Sequence, residues 1–285
     1  MNFHNFYTTA TAAPFLCDKS YVEIKPCSEL KPYIKCFWGS KKPYKKIKTD
    51  IPTQSLIIPD TCMDIIFDVN FTQNKIDNIF CTLDERSYYI NYANDKTELI
   101  STFGIRFYAW GAVFFADESL NKTRNSAFEV DCFFSKLKTE IEPKLFDITD
   151  IDERVDLVQR YLLNNIHLNR YSSIMNNSIS EILLNKGNIK IDSLAKSVFT
   201  SSRQLERQFN NNMGISPKKF AALIRYQCLW QEILLSGKID ILDLTEKYGY
   251  SDQAHLLNDF KKFHSMTIPE AKAYAYKNVA FLQYK

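Results

Sequence analysis

The chain has 285 residues, 36 Lys and Arg against 33 Asp and Glu, and seven cysteines. That length suggests about two domains, each large enough to bury its own core. A net charge of +3 says little about nucleic acid, and no stretch approaches the roughly eighteen apolar residues of a membrane span.

Taken in chain order, the start at Met1-Asn2-Phe3-His4 has neither a charged n-region nor an apolar h-region, so no signal peptide is expected. The cysteines (17, 27, 36, 62, 81, 132, 228) form no CxxC pair and fit a reducing cytoplasm. Residues 21–115 read as strands. Leu56-Ile57-Ile58 and Asp64 to Val69 are apolar and β-branched, and Phe103 to Phe107 alternates like a half-buried strand. The lysine run Lys41, Lys42, Lys45, Lys46 and Lys48 reads as a solvated loop. Trp38, Tyr108 and Trp110 are candidate walls of a ligand pocket, although aromatics at strand spacing more often fill a core. Arg106 lies between apolar neighbours, where an unpaired charge is costly. Pairing with Asp64 or Asp68 is the favoured expectation, and an anionic ligand is the other.

Helices are expected near Phe133–Leu137 and over Asp152–Leu168, the second with Val155, Val158, Leu162 and Ile166 on one stripe. That stripe suits core packing at least as well as pairing of two chains. Asn164 to Ser180, rich in Asn and Ser, reads as a linker. The expected division is a β-rich sensor over 1–150, a helical connector over 151–178 and a helical domain over 179–285, an α+β arrangement.

The last hundred residues carry one pattern twice. Ile191–Phe209 and Ile241–Phe260 both read as helix, tight turn, helix. Asp192 caps the first copy, Leu194, Ala195 and Val198 face inward, and Leu205 and Phe209 face them from the second helix. Met213-Gly214 ends that helix, and Ser216-Pro217 starts a long connecting one. In the second copy Gly249 makes the turn and Ser251 caps the helix of Leu256 and Phe260. A final helix starts near Pro269. Residues 181–285 hold fifteen basic and ten acidic side chains, so the basic excess lies in the repeated half.

These residues resemble the AraC/XylS-type transcriptional regulators. The signature is a double helix-turn-helix, and here its closing segment runs from Gly249-Tyr250-Ser251-Asp252 through Leu256 to Phe260-Lys261-Lys262. The first motif is carried by Leu194, Ala195, Ser201, Leu205, Arg207 and Phe209, followed by Gly214-Ile215-Ser216-Pro217 and Arg225. Further upstream, Pro59-Asp60-Thr61-Cys62-Met63-Asp64-Ile65-Ile66-Phe67 resembles the "PDGCxDIIF" strand of one sensor subgroup. Gly104-Ile105-Arg106-Phe107-Tyr108-Ala109-Trp110-Gly111 resembles its "GIRFxPxG" segment. The resemblance implies a cupin-like β-barrel sensor with flanking helices, a C-terminal all-α DNA-binding domain and a cytoplasmic protein. Double-stranded DNA is the implied partner, with RNA polymerase, a small-molecule effector and a second copy of the chain as further ones.

DNA contacts are expected from Arg203, Gln204, Glu206 and Arg207 on the first recognition helix, with Glu206 orienting an arginine. Lys218 and Lys219, at a helix N-terminus, are expected on phosphate. The second helix offers Gln253, His255 and Asn258, with Lys261 and Lys262 behind. The two copies are uneven. Phe199 replaces the turn glycine of the first unit, a position where a bulky residue strains any positive φ. In the second unit Asn258 stands where the family carries arginine, and five acids lie between Asp240 and Asp259 against Lys247 alone. The first unit is therefore expected to hold most of the sequence preference.

Nothing points to an enzyme. The four histidines (His4, His167, His255, His264) do not cluster in the expected strands, and no phosphate loop, G-x-S-x-G or H-E-x-x-H occurs. No cofactor or metal is expected. Two alternatives stay open. One is DNA-repair alkyl transfer to an activated cysteine, for which Cys27 and Cys36 are the candidates. The other is an interaction module whose helix-turn-helix has lost DNA.

Overall fold

The computed structural model describes residues 3–10, 21–46, 49–94 and 97–277. Met1-Asn2, Cys17 and Lys48 lie outside the described residues. The strands are β1 Tyr21–Ile24, β2 Ile34–Ser40, β3 Tyr44–Lys46, β4 Thr49–Ile57, β5 Cys62–Asn70, β6 Lys75–Cys81, β7 Tyr88–Asn94, β8 Glu98–Tyr108 and β9 Ala127–Phe128. The helices are α1 Asp131–Ile141, α2 Ile151–Asn164, α3 Ser173–Leu184, α4 Ile191–Ser197, α5 Ser202–Met213, α6 Pro217–Leu235, α7 Ile241–Lys247, α8 Gln253–His264 and α9 Ile268–Lys277.

One sheet runs β1-β2-β8-β5-β6-β9, with β3 also paired to β8, and β4 and β7 form a separate ribbon. The period-two pleat divides the central strands. Met63, Ile65, Phe67 and Val69 of β5 join Phe103, Ile105 and Phe107 of β8 in the core with Phe134, Leu137, Val155 and Val158 of α1 and α2. Each such side chain contributes roughly 1.5–3 kcal/mol on burial. The alternate residues Asp64, Ile66 and Arg106 face the ribbon, where they border a cleft with Ile57 and Ile90.

Three expectations need correction. The β-barrel is not closed among the described residues, because β4 and β7 pair only with each other. The lysine run is not all loop, since Tyr44–Lys46 pairs with Leu99 and its neighbours on β8. The Asn- and Ser-rich linker is helical from Ser173, because Met175, Ile179, Ile182 and Leu183 form a buried stripe at helical spacing. The stripe on α2 is core, with Val155, Val158 and Leu162 all buried.

The helical half is built on α6. Leu194, Leu205, Phe209, Phe220 and Ile224 join the same core cluster as the larger sheet. Leu229, Trp230 and Ile233 of α6 pack with Leu244, Leu256 and Phe260 of the second unit, and Leu56 and Ile58 from the end of β4 enter that cluster. The two halves also share hydrogen bonds. The buried side chain of Gln227 on α6 accepts from Ala10 N (2.8 Å) and Thr9 Oγ1 (3.1 Å) and donates to Pro59 O (2.7 Å).

Candidate nucleic-acid interface

In the first unit α4 begins with Lys190 in the capping position, and Asp192 lies inside the first turn, where it accepts from Ser202 Oγ at 2.7 Å. The expected cap at Asp192 is thus displaced by two residues, and this carboxylate ties α4 to α5 instead. Ser201 caps α5 by accepting from Gln204 N at 3.2 Å. Gly214, at φ 70°, closes the helix in the left-handed conformation. The turn between α4 and α5 holds Phe199 at φ 55°, with its ring 95% exposed.

On α5, Leu205, Phe209 and Met213 are buried, so Arg203, Gln204, Glu206 and Arg207 stand on the outer face, all exposed. Neither arginine is ion-paired among the described residues. Glu206 does not orient them. Its carboxylate accepts from Asn210 Nδ2 at 3.4 Å, one turn along the same helix. Two free guanidinium groups on a rigid helix can each grip a guanine through O6 and N7, or a phosphate through two hydrogen bonds.

The second unit differs in detail. Asp240 caps α7, accepting from Leu242 N and Asp243 N. Gly249 takes the turn at φ 65°. The cap of α8 is Asp252 and not Ser251, because the carboxylate accepts from His255 N at 2.7 Å while Ser251 Oγ donates to that same side chain. Gln253, His255, Asn258, Lys261 and Lys262 are all exposed. His255 is restrained by Ser251 Oγ at 3.1 Å and by the edge of Tyr250. Leu257, 42% exposed, shares the outer face. Arg225 reaches across from α6 to Asp259 at 3.4 Å and lies over the Tyr250 ring, so it is spent inside the fold.

Lys218 is exposed, but Lys219 is already engaged. Its Nζ sits 2.7 Å from both carboxylate oxygens of Glu85, in the loop between β6 and β7. The phosphate contact expected of Lys219 therefore competes with a carboxylate from the sheet domain. The same loop holds the second unit, through Ser87 N to Phe263 O at 3.0 Å and Ser87 Oγ to Ser265 Oγ at 2.7 Å. Gln208 of α5 accepts from Ser172 at 3.1 Å. Gln227, Glu85 and Ser87 had no sequence signal, because their partners lie far along the chain.

The residues expected around a ligand divide into two places. Arg106 stands opposite Asp64 on paired strands, and its Nε and Nη2 donate to that carboxylate at 2.9–3.2 Å. Trp38 Nε1 donates to the same group at 2.8 Å, and its ring lies over Gly104, where a Cβ would collide with it. Tyr108 and Trp110 do not join them. They stack on each other 4.8 Å apart at the end of β8, with Trp110 Nε1 donating to Pro32 O and its ring against Phe3. Both rings belong to the core cluster and neither lines the cleft. Cys36 is buried and its thiol is pushed up to about 12 by burial, the opposite of what an alkyl-accepting thiolate needs. Among the described residues no helix is long and apolar enough to cross a membrane.

Residues 194–273 match the family described as a helix-turn-helix domain, and residues 22–129 match a domain of unknown function (DUF6597). No curated protein matches the chain. Among solved structures, an AraC-type transcriptional regulator from Chromobacterium violaceum is similar over 35% of this chain and 89% of its own, at 25% identity and TM-score 0.32. The C-terminal domain of AraT, a response regulator from Geobacillus stearothermophilus, is similar over 36% and 86%, at 23% identity and TM-score 0.34. ToxT from Vibrio cholerae, solved with an unsaturated fatty acid bound, is similar over 89% and 95%, at 9% identity and TM-score 0.37. The family matches, together with the paired units on α6, carry the assignment. The chain has an AraC-type helix-turn-helix domain at its C-terminal end behind an N-terminal DUF6597 domain, and it is a DNA-binding transcription regulator.

Proposed function

We propose that the first unit, α4 with α5, reads the operator sequence and that the second, α7 with α8, mainly grips the backbone. The observation that carries this is the exposed, unpaired pair Arg203 and Arg207 on α5, against Asn258 and Leu257 on the matching face of α8. Lys218, Lys261 and Lys262 act on phosphates, with Gln204, Gln253 and His255 at the edges of the two contacts. The connecting helix α6 has 19 residues, and at 1.5 Å per residue it is about 28 Å long. That length suits two recognition helices in successive major grooves of one DNA face, roughly 34 Å apart.

In this reading residues 1–150 sense a small molecule, residues 151–178 connect, and the repeated half, residues 179–285, binds DNA. Work in the cytoplasm, pairing of two copies and contact with RNA polymerase complete the proposal.

A band-shift titration on the gene's own promoter region tests it. Affinity should fall steeply with salt, as counterion release requires. Arg207→Ala should cost about 1–3 kcal/mol and relax sequence preference, whereas Asn258→Ala should cost much less. Equal losses would reject the asymmetry, and a complex indifferent to salt would favour a protein-interaction module.

A further inference from the structure

The cleft between the larger sheet and the β4–β7 ribbon holds a cavity of about 80 Å³ that nothing in the DNA-binding site uses. Arg106, Asp64, Trp38, Asp60, Asp84 and Tyr88 line it. Three features of this lining do not balance internally. Arg106 is 4% exposed, and its Nη1 has no partner, although Nε and Nη2 are both bound to Asp64. A buried donor left unmade is costly, so such a group marks a place where an acceptor is missing. Two further carboxyl groups, Asp60 and Asp84, face the same small space; Asp60 accepts from Cys62 N at 2.8 Å and Asp84 is hydrogen-bonded by Tyr88, but neither has a cationic partner in an ion pair among the described residues. Asp64 is already matched by Arg106. Trp38, whose ring already carries the Arg106 guanidinium 5.7 Å from its centroid, and Tyr88 complete the lining.

We infer that this cavity binds a small organic ammonium compound carrying a hydrogen-bond acceptor beside its amine, with the ammonium between Asp60 and Asp84 and the acceptor on Arg106 Nη1. Amino acids and amino alcohols share that chemistry. Burial pushes Asp60 up to about 6 and Asp84 up to about 7, and Asp60 also raises Asp84. An ammonium seated between them offsets both effects. A second cavity of about 400 Å³ shares Trp38, Ile66 and Ile90 with the first and leaves room for a substituent.

The position of the cavity gives the ligand a route to the helical half. Asp60 follows Pro59, whose carbonyl accepts from Gln227 on α6. Asp84 precedes Glu85, which holds Lys219 at the start of α6, and Ser87 and its neighbour Tyr88 lead to Phe263 and Ser265. Both acidic walls are therefore the segments that dock the helix-turn-helix units. This part of the inference rests on the regulator reading, whereas the binding site itself does not.

The test uses the full chain, thermal unfolding and three sets of probes: small amino acids, ethanolamine-type amino alcohols, and short carboxylates or alcohols without an amine. An amine probe should raise Tm saturably. Asp84→Asn and Asp60→Asn should each weaken that binding by about tenfold or more, the effect of losing one charge-assisted hydrogen bond. A preference for amino acids would place a carboxylate on Arg106, and a preference for amino alcohols a hydroxyl. No saturable shift from any amine at millimolar concentration would overturn the site, as would a shift that survives both variants or one given by carboxylates alone. The bound probe should also change promoter affinity by about fivefold or more. Amine binding with unchanged promoter affinity would overturn the coupling alone, and amine binding by a chain that never shifts DNA would count against the regulator reading while leaving the site intact.

Discussion

Phe199 and Gly249 occupy the same turn in the two units, at φ 55° and 65°, yet only one is glycine. Their surroundings explain the difference. A Cβ on Gly249 would lie 2.2 Å from the Asn188 side chain, whereas the Phe199 side chain projects into solvent, 95% exposed. The first turn admits a side chain sterically and still bears the left-handed backbone cost, about 1–2 kcal/mol. Phe199→Gly should therefore stabilise the chain by about 0.5–1 kcal/mol after the extra chain entropy of glycine, and Gly249→Ala should destabilise it by more than that. Denaturant unfolding of both variants decides the matter, and a destabilised Phe199→Gly would mean that the exposed ring makes a contact in the free protein. The strain at Phe199 was legible in the sequence, because the turn needed a positive φ and the residue could not supply one cheaply. The Asn188 contact was not, since nothing in the pattern brings residue 188 to the second turn.

At the scale of elements, the repeated helices were readable because each carries its own apolar stripe and caps. The misplaced cap at Ser251 reflects a neighbour, Asp252, with equal capping chemistry, whereas α4 simply starts two residues before Asp192 with no side-chain cap at Lys190, and the hidden helix α3 reflects a composition of Asn and Ser that masked its stripe of Met175, Ile179 and Ile182. That a strand carboxylate pairs with Arg106 was favoured on cost, with Asp64 and Asp68 both open, and the strand register, which sets Asp64 opposite Arg106, decides between them. The inter-element ties were not, and one of them bears on DNA. Glu85 holds Lys219 at the N-terminus of α6, where phosphate would otherwise be welcomed. Glu85→Gln should release Lys219, tighten promoter binding and steepen the salt dependence by about one in the log–log slope. Lys219→Ala should lower that slope in the Glu85→Gln background and change it little in the wild type. A slope that responds equally to Lys219→Ala in both backgrounds would show that the ion pair opens freely on DNA.

Across the whole molecule, burial has set titrating groups of opposite sense into the two halves. His264 is 0% exposed between α8 and α6, its Nδ1 shares a hydrogen with Tyr226, and burial lowers it from 6.5 to about 3. The unfolded chain binds that proton below 6.5 and the folded chain does not, so the contribution of His264 is present above 6.5 and lost as pH falls toward 3. Asp60 and Asp84 run the other way. Their folded values, about 6 and about 7, lie above the ordinary 3.8, so their contribution is present below 3.8 and lost as pH rises through 6 to 7. Each group changes stability by at most about 1.4 kcal/mol per pH unit within its window. Between about pH 4 and 6 the two carboxyls in the sheet domain outweigh the one histidine in the helical domain. Asp84→Asn, which keeps the shape and removes the charge, should accordingly raise Tm most at pH 8 and by clearly less at pH 5, where only the first part of the 3.8-to-7 window has been crossed. His264→Gln should lose stability at both values through packing, with the smaller loss at pH 5, because there the wild type has already lost part of the histidine contribution. Thermal unfolding of the three proteins across pH 5–8 measures this directly, and variants that merely run parallel to the wild-type curve would show that neither group titrates with the fold. The carboxyls that make the sheet domain sensitive to rising pH are the same two that border the cleft between the larger sheet and the β4–β7 ribbon, so an ammonium ligand should also flatten the upper arm of the wild-type profile and leave that of Asp84→Asn where it was.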